Sequence, residues 1–325
     1  GLLTEWAKEF DPDFGAKLDA DPAYATSILA IGRGGKKPRK DLAVWKDAKP
    51  YMGFFYDEYL EKPVFDEKFS KETVVDALNR FLAAGYKTGW GDEWFRIGPL
   101  KLIGDGSLGS RTALMHEPYA DDPSTCGIAT YSQEELSSLI GIAHENGMQV
   151  AIHAIGDAAA DHVLHAVEQA QKHCPRNDAR HGIVHAQILN HEQAQRMKSL
   201  NMHAYIQPIF LDYDTKIVYP RVGQRADEAY PAESLLRLGI TISGGSDSPV
   251  EPPDVMTGIQ CAVTRKPVTR SQDRAYLPQE ALTLTQALLS FTAYGAFASF
   301  EENLKGQIRE GMLADFVVLG IDPFE

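Results

Sequence analysis

The chain has 325 residues, 44% of them hydrophobic and 24% charged, a globular composition with room for one large α/β domain or two ordinary ones. Its 32 Lys and Arg against 45 Asp and Glu leave a net charge of −13, which argues against a nucleic acid or an anionic membrane as partner. Three scattered cysteines (Cys126, Cys174, Cys261) without a CxxC argue against a disulfide framework or a zinc knuckle. With no signal peptide and no apolar run near about 18 residues, a cytoplasmic protein is expected.

In chain order, residues 4–18 read as a helix interrupted by Pro12 and Gly15, and residues 27–31 as a strand or a short buried segment ending at Gly32. The basic run 36–40 reads as a solvated loop and lacks the Ser or Thr of a phosphate loop. Residues 51–56 form an aromatic-rich strand. Ser70 caps a helix carrying Val74, Val75, Leu78, Phe81 and Leu82 on one face, and Gly85 ends it. Residues 95–103 read as a strand with Lys101 near its end. The Gly- and Ser-rich loop 104–113 follows, where the backbone can approach a ligand closely. Ser132 and Glu135 make a capping box for a helix that stops at Gly147, and strand 148–153 comes next. Asp157 is expected to cap a helix reaching Lys172, and 182–187 contains another β-branched strand. Asn190 and Gln193 repeat the capping logic for helix 191–200, with Asn201 at its end and strand 202–206 after it. Residues 207–231 lack a clear period and are too long for a routine connection, which suggests a lid or binding segment. A short helix, 232–238, is closed by Gly239, and strand 240–243 leads to Asp247. Thr283 and Gln286 open a helix reaching Ser299, and residues 315–319 form a final strand.

Strands that stay apolar throughout are buried on both faces, as in a parallel sheet covered by helices. Alternating βα units without a GxGxxG fingerprint favour a (β/α)8 barrel over a doubly wound sheet. Barrels assemble their chemistry at the carboxyl ends of the strands, where this chain has His153, His185 and Asp247. Two imidazoles and a carboxylate can hold Zn²⁺ or a similar ion, and the carboxylate can also take a proton from water acidified by it. His162 and His165, three apart on a helix, could share a metal but read better as a solvated face. His181 reads as a supporting group for the site.

Five ordered motifs carry a resemblance: 101–113 (KLIGDGSLGSRTA), 151–157 (AIHAIGD), 180–187 (RHGIVHAQ), 245–250 (GSDSPV) and 262–265 (AVTR), with 306–319 (GQIREGMLADFVVL) at the end. Together they resemble the YtcJ-like branch of the metal-dependent amidohydrolase superfamily, related to N-substituted formamide deformylases, over about residues 51–322. The resemblance implies a TIM-like barrel over residues 1–300, incomplete at its N-terminal end, with 301–325 belonging to a small accessory β-sandwich. It implies that Lys101, carboxylated, joins His153, His185 and Asp247 as metal ligands, with Asp247 also the general base, and that Arg111, Gly109 and His181 serve the substrate.

The strand-one His-x-His of that superfamily does not occur in this sequence, so the chain resembles the C-terminal part of a longer enzyme or a family member that has lost its start. The implied cofactor is a divalent metal, zinc by its ligands: one or two ions in a complete enzyme, one or none here. The implied reaction is hydrolysis of a non-peptide, amide-like C–N bond in a small molecule. The alternative is a remnant barrel that binds a small molecule or partner without turnover. An incomplete barrel exposes strand edges and apolar surface, which favours a homo-oligomer.

Overall fold

Five short strands lie side by side in chain order and all run parallel: β1 (Leu100–Ile103), β2 (Val150–Ala154), β3 (Gly182–His185), β4 (His203–Ile206) and β5 (Ile242–Gly244). The computed structural model describes residues 71–92, 95–270 and 273–324; the elements expected over 4–18, 27–31 and 51–56, and the basic run 36–40, lie outside them. Contacts divide the chain into Gly1–Val74 and Val75–Glu325, and the second unit holds the sheet. Sequential parallel order is that of a barrel wall, whereas a doubly wound sheet reverses at a switch point. The class is therefore α/β, with strand order of the barrel type.

Register explains the wall. Leu102, Ile152, Ile183, Ala204 and Ile242 are aligned across all five strands, and none is more than 3% exposed. Each buried Ile contributes about 1.5–3 kcal/mol on this face. The opposite face carries two aligned rows, Lys101-Ala151-Gly182-His203 and Ile103-His153-Val184-Tyr205-Ser243. Period-two alternation puts the polar groups on that one face. Gly182 is required there, because a Cβ would lie 2.4 Å from Cε2 of Tyr205.

Helix α1 (Lys71–Ala83) ends before Gly85, whose φ is +84°. Helices α2 (Gln133–Glu145) and α4 (His191–Ser199) begin in the capping boxes Ser132–Glu135 and Asn190–Gln193. Between them, α3 (Asp157–His173) starts one residue earlier than expected: Gly156 is its N-cap, and the Asp157 carboxylate accepts the His116 and Ala158 backbone N–H groups. Gly156 lies so close to Leu114 O that a Cβ would stand 1.9 Å from it.

Several expectations are corrected. The strand expected over 95–103 begins only at Leu100, because Pro99 has no N–H for a ladder. Ile97 instead exchanges hydrogen bonds with Gly89 and Trp90 at 2.8 and 2.9 Å. Residues 207–231, which show no clear period in the sequence, are folded into short helical pieces. They fold into α5 (Leu211–Asp214), α6 (Val218–Val222) and two 3-10 turns. Their Leu211, Val218, Val222, Ala226 and Ala229 share a second core with Leu108, Ala113, Met115 and Tyr119. After α7 (Ala232–Arg237), helix α8 (Val255–Thr264) went unpredicted although Asp254 caps it by accepting the Met256 and Thr257 N–H groups. The helix expected over 283–299 is two, α9 (Leu284–Ser290) and α10 (Ala293–Ala298), with a break at Thr292 (φ −129°, ψ −95°). At that break the Phe291 ring occupies a notch at Gly244 and Gly258, where a Cβ would meet it at 2.6 and 2.9 Å. Residues 315–319, expected as a strand, pair with no strand among the described residues, and Val317 and Val318 are 83% and 84% exposed. Without a ladder partner the local β-preference does not make a strand. Among the described residues no helix is long and apolar enough to cross a membrane.

Buried histidines at the amino ends of the strands tie stability to pH. The Val150 N–H donates to His181 Nδ1, the His181 Nε2–H to His144 Nδ1 at 2.7 Å, and the His144 Nε2–H to Cys174 O. His203 meets the Ser243 hydroxyl at 2.8 Å. Burial is the main cause that pushes His181 and His203 each down to about 3 from the ordinary 6.5, helped by His144 and by Arg180 respectively. The folded state therefore binds fewer protons than the unfolded chain between those values. Stability is full above pH 6.5 and falls as pH drops toward 3, by about 1.4 kcal/mol per pH unit for each such histidine. Urea unfolding at pH 7 and pH 5 checks this: His203→Phe should lose distinctly less stability over that interval than the unchanged chain, and an equal loss would contradict it.

Candidate metal centre

At the carboxyl rim, His153 (β2) and His185 (β3) meet edge to face, with ring centroids 4.4 Å apart. Reaching this position demands an unusual backbone. By register His185 aligns with Ala154, on the helix-facing side, but φ values of +77° at His185 and +46° at Ala186 turn the chain as the strand ends. Two successive non-glycine residues in the left-handed region carry strain of order 1–3 kcal/mol each, and such strain clusters at functional sites.

The hydrogen-bond network assigns both tautomers. His153 Nε2 lies 2.8 Å from Gly106 O and 3.3 Å from Asp105 Oδ1, both acceptors, so it carries the proton. The Gln207 amide donates its Nε2–H to Tyr205 O, which turns Oε1 toward His185 Nδ1 at 2.7 Å and places that ring's proton on Nδ1. The remaining nitrogens, His153 Nδ1 and His185 Nε2, both present lone pairs, and they face each other at 3.0 Å. Two lone pairs at that distance repel unless a cation sits with them. His185 does not supply a proton to this contact, because burial first, then His153 and Lys101, push it down to about 3 despite the bond to Gln207. Two imidazole nitrogens with converging lone pairs are a donor set for a divalent ion. The pair fits a metal.

Other groups hold the pair in place. Asp105, 2% exposed, accepts the backbone N–H groups of Leu114 and Gly156 on one oxygen and that of Ile155 on the other. It thereby ties the loop after β1 to the end of β2. Phe210 stacks on His185 at 5.8 Å, so the 207–231 segment also braces the site. Tyr230 and Gln187 both donate to Asp214, whose carboxyl is pushed up by burial, and the Tyr230 N–H donates to Gln187 O.

The other expected site residues are less closely gathered. Lys101 shares the face of His153, two residues nearer the amino end, and its charge acts on His185. Asp247 lies three residues beyond β5, exposed, with φ +54°, and has no ion pair with either histidine. Among the described residues no three His, Cys, Asp or Glu side chains are arranged to hold a metal. Arg111 is held by Asp121 in a bidentate pair at 3.0 and 3.1 Å; Arg221 joins the same carboxylate and donates to Gly109 O. His181 stands at the amino end of β3, 1% exposed, in contact with His144 and Val150. His162 and His165 line an outer polar cleft of about 400 Å³ with Asp161, Glu192 and Arg196. Sequence reasoning missed Asp105, Gln207 and Phe210. Gln207 was findable, since it directly follows β4 just as His153 and His185 close their strands.

A parallel α/β wall of sequential strand order, with imidazoles at its carboxyl rim, places polar groups where α/β-barrel enzymes carry their chemistry. The Amidohydrolase family model matches residues 62–325, and the chain belongs to the amidohydrolase family. It is 41% identical over 232 residues to the YtcJ amidohydrolase of Bacillus subtilis, covering 71% of this chain and 43% of that one. It is 33% identical over 336 residues to Protein LONG AFTER FAR-RED 3 of Arabidopsis thaliana, covering 100% of this chain and 56% of that one. A crystal structure of a metal-dependent hydrolase from Pyrococcus furiosus matches with a TM-score of 0.67 at 33% identity, over 77% of this chain and 50% of that one. The chain thus spans about half the length of the curated relatives it matches.

Asp105→Asn should destabilise the fold by roughly 2–4 kcal/mol, because an amide has one acceptor oxygen and would turn N–H groups against backbone donors. Urea unfolding followed by circular dichroism measures it, and a loss under about 0.5 kcal/mol would show that the carboxylate does not organise the rim.

Proposed function

We propose that this chain carries the chemical site of a hydrolase that cleaves non-peptide, amide-like C–N bonds. The observation that carries the reading is the convergence of two imidazole lone pairs at 3.0 Å on the carboxyl rim of the sheet. His153 Nδ1 and His185 Nε2 hold a divalent ion, zinc by the nitrogen donors. Lys101, carboxylated, and Asp247 complete the ligand set, since an ammonium would repel a cation whereas a carbamate offers anionic oxygens.

When bound, the ion supplies Lewis acidity toward a carbonyl and acidifies water. Asp247 takes the proton from water and delivers it to the leaving nitrogen; what supports this role is an exposed carboxylate three residues past the end of β5. Gln207 and Gly106 keep the ring protons on the far nitrogens, so that the near ones stay free. Arg111, oriented by Asp121, and the backbone at Gly109 contact the substrate. His181 supports the site from the amino end of β3 through its buried bonds.

Zinc titration by calorimetry on chelator-treated chain should give one site that weakens at least about 100-fold in His153→Ala or His185→Ala, and about 10–100-fold in Gln207→Leu. Binding that survives both histidine changes would refute the assignment. In a longer chain that hydrolyses any member of an amide panel, Asp247→Asn should lower kcat by about 10²–10⁴-fold. An unchanged rate would remove Asp247 from the mechanism, and inactivity of every zinc-loaded form on the whole panel would favour a binding role without turnover.

A further inference from the structure

The left-handed turn at His185 and Ala186 depends on how the chain is held on either side of it. By register His185 belongs on the helix-facing side, and two successive positive φ values bring it to the rim instead. A strained turn of this kind persists only where the surrounding structure fixes it. Before the turn, β3 is paired with β2 and β4. After it come Gln187, 2% exposed, and Ile188, whose N–H donates to Ile155 O at 2.9 Å.

Gln187 is gripped twice by the 207–231 segment. Its carbonyl accepts the Tyr230 N–H at 2.7 Å, and its Nε2–H donates to Asp214 Oδ2 at 3.1 Å. The Tyr230 hydroxyl donates to that same oxygen. A carboxylate oxygen has lone pairs enough for both donors. The bonds close a loop from the Gln187 backbone to Tyr230, from Tyr230 to Asp214, and from Asp214 back to the Gln187 side chain. Among the described residues Asp214 takes part in no ion pair, so no cation accounts for its place.

We infer that Asp214 is a positioning residue for His185: by holding Gln187 and Tyr230 on one oxygen, it locks the turn that aims His185 Nε2 at His153 Nδ1. Without that acceptor, two buried donors lose their partner and the turn relaxes toward extended backbone. His185 then swings toward its register position beside Ala154. The bearing on metal affinity rests on the function proposed above, whereas the aim of the ring does not. Asp214 also differs from Asp105 in a way that experiment can read. Asp105 accepts through both oxygens, but the two side-chain bonds to Asp214 end on one, which an amide oxygen can replace.

Long-range proton–nitrogen correlation spectra of the histidine rings, taken on chelator-treated full chain, read the ring directly. The unchanged chain should show His185 fixed with its proton on Nδ1. Asp214→Leu, similar in shape but without an acceptor, should lose that fixed form and bind zinc at least about 10-fold more weakly by calorimetry. Asp214→Asn should keep the His185 signal and bind zinc within about 3-fold of the unchanged chain. Val222→Ala, in the apolar core of the same segment, should lower stability in urea without moving the His185 signal or the zinc affinity. If Asp214→Leu fails to fold, the double variant Gln187→Met with Tyr230→Phe removes the same two donors and decides the matter. A His185 ring unfixed in the unchanged chain, or a signal unmoved by removing the acceptor or both donors, would overturn the inference. So would a loss in Asp214→Asn or Val222→Ala as large as in Asp214→Leu. Zinc separates the two readings: zinc bound with an unmoved signal sinks this one alone. A signal that follows Asp214→Leu but not Asp214→Asn, in a chain that binds no zinc, sinks the metal centre alone.

Discussion

Two imidazole nitrogens, each with its proton held on the far side of its ring, are pressed together at 3.0 Å on the carboxyl rim. Several separate parts of the described chain converge on that contact. Gly106 O and Asp105 come from the loop after β1, Gln207 from the turn after β4, and Phe210 from the segment beyond. Remove any one and a ring can rotate or change tautomer, after which the lone pairs no longer meet. The strained backbone at His185 and Ala186 belongs to the same constraint, since the strand by itself would turn His185 toward the helices.

The sheet makes this arrangement affordable because it separates two jobs by residue parity. One set of aligned residues is wholly apolar and buried, and it supplies the driving force for folding. The alternate set carries lysine, histidines, tyrosine and serine on the opposite face. At the amino end these polar groups are used up in internal bonds, as where His203 meets the Ser243 hydroxyl. At the carboxyl end they are left with free lone pairs or exposed charges. The same kind of side chain is thus structural at one end of a strand and available at the other, only four residues apart in the case of His181 and His185.

Much of this was legible from residue order. Capping boxes at Ser132 and Asn190 act through neighbours three positions away, so local sequence suffices for them. The rim positions of His153 and His185 followed from β-branched runs ending on an imidazole. Elsewhere distant partners decided. Phe291 splits a periodic helix because its ring finds a notch between Gly244 and Gly258. Residues 315–319 have strand composition but no ladder partner among the described residues. The segment 207–231 lacks a period because its apolar side chains serve a core shared with the loop after β1 rather than one face of a single helix.

By itself the sequence determined the class of fold, the alternation that buries one face of each strand, and the residue types that close β2, β3 and the turn after β5. Those depend on spacing along the chain, which the sequence states directly. Tertiary structure alone decided which nitrogen of each histidine is turned toward the other, and that Gln207 and Asp105 orient the pair. Hydrogen-bond partners as far apart as 47 residues, such as Gly106 and His153, are matched only once the strands are in register, and no local pattern encodes that meeting.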